Sequence, residues 1–238
     1  MAFSEQLSAS AASVMSRKST RRKTTRSTAG AAGRSLSRKP RLLLTGFGPF
    51  PGAPDNPTGP LVKALARRLR QQSVRVSTHV FETTYKAVDR DLPRLLKRVK
   101  PDALLMFGLA NKARALRVET KARNRIARFP DASFTTPQSR VIAAGSAKGR
   151  PIRAPKMALL RAAKSAALPA RMSVNAGDYL CNYLYWHALE AASSAGGPRK
   201  AAFIHVPLPS KRFTLDRMIE SGEAIARVMV SASRRPRR

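Results

Sequence analysis

Side chains able to do covalent or acid–base chemistry are scarce in this chain: it has one cysteine, three histidines and thirteen acidic residues among 238. A single cysteine excludes an internal disulfide, so the chain is expected to suit a reducing compartment, with the cytoplasm as the default. No uninterrupted apolar stretch approaches the roughly 18 residues a membrane span needs, which predicts a soluble protein with no membrane partner. Paired His or Cys at ligand spacing are missing, as are a Walker loop and a GxGxxG fingerprint. Metal, nucleotide and dinucleotide chemistry therefore have no sequence support, and neither a metal nor a cofactor is expected. There is no internal repeat.

Negative charge is the other shortage. Forty-six Lys and Arg leave a formal charge of +33. Residues 1–41 hold ten of those cations against the lone acid Glu5, so +9 sits there and the remaining +24 lies on the rest. Such a field draws polyanions to the basic surface and tail without specifying an activity. It keeps open an alternative of another class, a fold reused as a basic module that grips nucleic acid or acidic proteins.

Residues 1–40 are rich in Ser, Thr, Ala and Arg and show no sustained apolar period, the composition of a segment unable to bury enough surface to order itself. They are read as a disordered basic tail. Arg21-Arg22 lacks the apolar region of an export signal behind it, although transit peptides share this Arg/Ser-rich character. Residues 41–233 read as one folded domain, and 234–238 as a basic end.

Within the domain, Leu42-Leu43-Leu44 runs into Thr45-Gly46-Phe47-Gly48-Pro49-Phe50, a buried-strand pattern feeding a loop. A helix opens at Thr58 or Gly59, where Pro60 suits a first helical position. Val74–Phe81 alternates as a strand, Asp91–Val99 is amphipathic and helical, and Ala103–Phe107 is an apolar strand. Residues 131–155 read as irregular loop. A strand at Arg171–Val174, a helix over Tyr179–Ala192, a strand at Ala201–Val206 and a helix from Leu215 to Val230 complete the series. This alternation predicts a three-layer α/β/α fold, an open, twisted, mainly parallel sheet with helices on both faces. Functional loops are expected at the carboxyl ends of its strands.

Three groups have the chemistry to act together. Cys181 falls in the first turn of the predicted helix, where free N–H groups and partial positive charge favour a thiolate and can hold an oxyanion. Periodicity alone equally admits a small core residue beside Leu180 and Leu184. His205 closes an apolar strand in Phe203-Ile204-His205-Val206-Pro207. It is the best base by elimination, since His79 lies within an alternating strand and His187 lies off the helical face of Cys181. A third group that fixes the imidazole improves such a pair, and Glu119 is a candidate carboxylate. Its neighbours Arg114, Arg117, Lys121 and Arg123 also allow a plain surface ion pair.

The motifs containing these residues resemble those of pyroglutamyl-peptidase I. The likeness is carried by Leu44-Thr45-Gly46-Phe47-Gly48-Pro49-Phe50 with Asn56-Pro57, by Pro101-Asp102 before Phe107-Gly108-Leu109-Ala110, by Asn175-Ala176-Gly177-Asp178-Tyr179-Leu180-Cys181-Asn182-Tyr183, and by the histidine segment. It covers roughly residues 41–230. The resemblance implies a cysteine peptidase that removes N-terminal pyroglutamate from peptides, with Glu119, Cys181 and His205 as triad and no metal. It further implies that Phe47 and Phe50 sandwich the lactam ring, that Gly108, Leu109, Tyr179 and Leu180 line its pocket, and that Arg128 lies near the active site. Glu119-Thr120-Lys121-Ala122-Arg123-Asn124 departs from the family pattern, which places Arg after the glutamate. A homo-oligomer is compatible with the sequence but not specified by it.

Overall fold

The computed structural model describes residues 38–234, so the structure says nothing of the tail before Arg38 or of the last four residues. The leucine run forms β1 (Arg41–Phe47), and the alternating segment forms β2 (Arg75–Phe81). They are followed by β3 (Ala103–Leu109), the short strands β4 (Leu116–Glu119), β5 (Lys121–Arg123) and β6 (Gly149–Pro151), then β7 (Ala170–Ser173) and β8 (Lys200–Val206). Six strands make one open sheet in the order β2-β1-β3-β8-β4-β7, while β5 and β6 form an antiparallel pair. From β2 to β8 the pairing is parallel, as the continuous apolar strands require; β4 then runs antiparallel to β8 and carries β7 parallel to itself.

Five helices cover the two faces: α1 (Thr58–Gln71), α2 (Tyr85–Val99), α3 (Lys156–Ala163), α4 (Leu180–Ser193) and α5 (Leu215–Ala232). Strand residues alternate between the faces with the period of two that pleating imposes. Leu42, Leu105, Val118 and Ile204 pack with α1, α3 and α5 in one apolar cluster. Leu43, Leu104, Met106 and Phe203 pack with α2 and α4 in the other. The architecture is therefore the expected three-layer α/β/α sandwich with a mainly parallel sheet.

Helix α2 begins six residues before the expected Asp91. Thr84 supplies the reason: its hydroxyl accepts from the Ala87 N–H at 3.1 Å, capping a first turn whose Tyr85, Ala87 and Val88 are buried. Pro93 sits inside the helix, where it imitates a helix start. Strands β4 to β6 and helix α3 are additions to the sequence-based expectation, and β6 lies within the stretch read as irregular. The folded part reaches back to Arg38, whose guanidinium pairs with Asp102 at 2.9 Å.

Candidate active site

The face of the sheet covered by α4 carries the chemistry. On β8, Phe203 faces that helix, so His205, two residues on, faces it too. The same parity places Gly108 of β3 directly beside His205 in the ladder. Because β4 runs backwards, its last residue Glu119 pairs with Phe203 rather than with His205, two positions further inside the sheet. That register explains why Glu119 is fully buried while His205 keeps 5% of its surface. The carboxylate is not a surface ion pair: Glu119 Oε1 lies 2.9 Å from His205 Nδ1. A carboxylate there accepts the Nδ1 proton and leaves Nε2 of the ring for other chemistry.

Cys181 enters from above. Helix α4 starts at Leu180, and its first intrahelical bond runs from the Tyr183 N–H to the Tyr179 carbonyl, so the N–H groups of Leu180, Cys181 and Asn182 have no helical acceptor. The sulfur rests against the floor formed by Gly108. A Cβ at that position would lie 2.7 Å from Cys181 Sγ and 2.7 Å from the Phe203 ring. Glycine is required there by close approach, not by backbone conformation. Burial alone would lower the pKa of His205; the charge and side-chain contact of Cys181, with the hydrogen bond and charge of Glu119, outweigh it and raise the imidazole to about 9. Cys181 itself is partly exposed.

The first turn of α4 is tied to the end of β5 and the residues just after it. Buried Asn182 accepts from the Arg123 N–H at 2.9 Å and donates to the carbonyls of Arg123 and Arg125 at 2.8 and 2.9 Å. Asp178 holds the Arg123 guanidinium and faces Arg125 at 3.6 Å. One turn along α4, the buried Tyr185 hydroxyl donates to the Glu119 carbonyl at 2.9 Å, so the helix that positions Cys181 also fixes the end of β4. Sequence reasoning gave Asn182 no role, although it falls in the cysteine motif, and passed over Tyr185. The signal available was their spacing, one and four residues beyond the cysteine.

The loop after β1 is fixed by a second network. Thr58 Oγ1 accepts from the Phe47 N–H at 3.0 Å and donates to Asn56 Oδ1 at 2.9 Å, while Asn56 Nδ2 donates to the Gly48 carbonyl at 2.9 Å. That accounts for Asn56-Pro57 in the opening motif. The aromatic residues divide. Phe47 keeps 2% of its surface and packs on Phe81 with ring centres 5.9 Å apart. Phe50 is half-buried and meets Tyr179 at 6.5 Å. Phe129, which sequence reasoning did not single out, is exposed and lies 5.7 Å from the same tyrosine.

Of the other expected pocket residues, Leu109 is partly exposed at the end of β3, and Leu180 is buried in the apolar cluster with its backbone N–H at the helix start. Arg128 is exposed, and its side chain makes no hydrogen bond or ion pair among the described residues. His79 pairs with Asp91 at 3.3 Å and His187 with Glu190 at 3.4 Å, neither of them in the Cys181–His205–Glu119 group. A separate concavity of about 860 Å3, lined by Thr120, Ile152, Pro155 and Met157, contains none of those three residues. Among the described residues no group of His, Cys, Asp and Glu could hold a metal ion.

The sequence profile of the pyroglutamyl peptidase family matches residues 40–227 of this chain. The chain belongs to that family. It is 33% identical over 168 residues to the pyrrolidone-carboxylate peptidase of Thermococcus litoralis, covering 70% of this chain and 76% of that protein. The pyrrolidone-carboxylate peptidase of Thermococcus onnurineus is 29% identical over 201 residues, which cover 81% of this chain and 100% of the relative. The solved pyrrolidone carboxyl peptidase from Thermococcus litoralis superposes with a TM-score of 0.74 at 29% identity, over 81% of this chain and 94% of that one.

Proposed function

We propose that this chain is a cysteine peptidase that removes the N-terminal pyroglutamyl residue from peptides, with Cys181 as nucleophile, His205 as proton carrier and Glu119 as the group that orients it. The observation carrying this reading is the sulfur seated over Gly108 beside an imidazole anchored by a buried carboxylate. His205 takes the thiol proton, and the sulfur attacks the pyroglutamyl carbonyl carbon. The N–H groups at the start of α4 face the oxyanion that forms. His205 then gives its proton to the departing peptide amine, leaving a thioester. Water, relieved of a proton by the same imidazole, hydrolyses it and restores the thiol.

Substrate choice follows from what the site lacks as much as from what lines it. Pyroglutamate has no free α-amine, and its flat lactam suits the edge between Phe50, Tyr179 and Leu109 better than a charged amino terminus would. Phe47, packed on Phe81, and the exposed Arg128 are the further residues that the family resemblance assigns to this pocket. A free thiol is essential to this chemistry, which fits a reducing compartment such as the cytoplasm.

The test is release of a fluorophore from a pyroglutamyl amide by the purified full chain, with prolyl and alanyl amides as controls. Turnover of the pyroglutamyl amide alone is expected. Equal turnover of all three amides, or of none, would contradict the reading.

A further inference from the structure

The strands begin at the edge of the sheet remote from Cys181 and His205, and there arginines converge. Arg41 opens β1 and Arg75 opens β2, and the two stand abreast as direct ladder partners. Neighbouring strands are about 4.8 Å apart, so two cations in register repel unless an anion lies between them. Arg70, near the end of α1, lays its guanidinium over β2 and donates to the Val76 carbonyl at 3.3 Å. Arg98, in the last turn of α2, approaches from the other side. These four side chains, with the hydroxyl residues Ser77 and Thr78, line a cleft of about 550 Å3 that has no acidic residue in its wall. Asp102, beside the start of β1, is taken up by Arg38 and the Arg41 N–H, and Arg41 Nε is buried without a partner among the described residues.

We infer that this cleft binds the phosphodiester backbone of nucleic acid, independently of the peptidase site. Guanidinium groups match phosphate oxygens in pairs, and serine and threonine hydroxyls donate to the same oxygens. The lining has no aromatic side chain, so bases are neither stacked nor read and the grip is indifferent to sequence. A membrane surface fits less well, because the exposed large apolar residues Phe129, Phe134, Val141, Met157, Val174 and Leu208 all lie outside this cleft and its flanking helix ends. A long polyanion fits better than a compact phosphate. Arg67 on α1 and Lys97 on α2 lie on the helices that carry Arg70 and Arg98, whereas Arg68 pairs with Asp216, and seven further Lys and Arg precede Arg38 in the chain.

The test is fluorescence anisotropy of a labelled DNA duplex titrated with the full chain at several salt concentrations. The chain is compared with the triple variant Arg70→Glu, Arg75→Glu, Arg98→Glu and with a control of equal charge change, Lys164→Glu, Arg171→Glu, Lys211→Glu, each first shown to be folded by its thermal transition. The cleft variant is expected to bind at least about tenfold more weakly than the control, and to lower the slope of log K against log salt by about 2 to 3. Equal weakening in both triples would reduce the effect to net charge and overturn the proposal, as would absence of binding at low salt. Competition by tripolyphosphate as strong as by unlabelled duplex, at matched phosphate, would assign the cleft to small phosphates instead. Binding to phosphatidylserine vesicles that is lost in the cleft variant, with DNA binding unchanged, would assign it to lipid headgroups and equally overturn the inference.

Discussion

His205 and Glu119 form a buried, coupled pair, and the cost of keeping a carboxylate away from water at Glu119 is met only while the imidazole shares its proton. Replacing Cys181 by Ala or His205 by Ala is expected to lower turnover of a pyroglutamyl amide at least about a thousandfold, because each removes a group that forms or breaks a bond. Glu119→Gln keeps the shape and removes the charge, so the loss should be smaller, on the order of a hundredfold. It also has a signature that a purely structural role would not give. The carboxylate helps raise His205 to about 9, so the alkaline limb of kcat/KM, where the imidazolium loses its proton, should lie near that pH in the parent chain and move to lower pH in Glu119→Gln. Cys181 and His205 were legible in sequence because their motifs are local. The burial of Glu119 was not, because it depends on β4 pairing backwards with a strand more than eighty residues away.

Helix α4 is the element on which the site depends, since its first turn holds Cys181 while Asn182 and Tyr185 bind it to β5 and β4. Asn182→Ala would leave two carbonyls and one N–H without partners at a partly buried junction, so a loss of about 1–3 kcal/mol in unfolding free energy is expected by denaturant titration, with turnover falling more steeply than stability. Gly108→Ala tests the floor. The added methyl would meet sulfur and ring at 2.7 Å, so Cys181 must move, and turnover should fall at least tenfold with KM less affected. Strands β1, β3 and β8 and helices α1, α4 and α5 could be read from periodicity because each buries a long apolar face, and β2 from its alternation, although only Phe81 of it is fully buried. Strands β4 and β5 could not: their apolar residues alternate with Arg117, Lys121 and Arg123 over three or four positions, too short a window for any period to stand out. Phe47 was expected beside the lactam only through the family resemblance, not through any period of its own. It is the last residue of β1, and the parity of that strand turns it onto Phe81.

For the molecule as a whole, stability should narrow from both ends of the pH scale. The folded chain holds the His205 proton more tightly than the unfolded chain does. That contribution is full below about 6.5 and is lost as pH rises through about 9. Asp131 works in the opposite sense: burial resists its ionisation, but hydrogen bonds from Ser133, Tyr85 and Thr135 outweigh it and lower its pKa. Its contribution is present above the ordinary value of 3.8 and is lost as pH falls through the lower folded value. Thermal scans across pH should therefore show the transition falling on the alkaline side in the parent chain and less so in His205→Ala. Removing residues 1–37 is expected to leave turnover within about twofold, since the family profile begins only at residue 40. The central claim is that the sulfur of Cys181 carries the pyroglutamyl group in a thioester, and mass spectrometry of the chain quenched in acid during turnover of a pyroglutamyl amide tests it most directly. The account predicts one pyroglutamyl adduct, on the peptide containing Cys181, absent from Cys181→Ala; turnover with no adduct, or an adduct on any other residue, would contradict it.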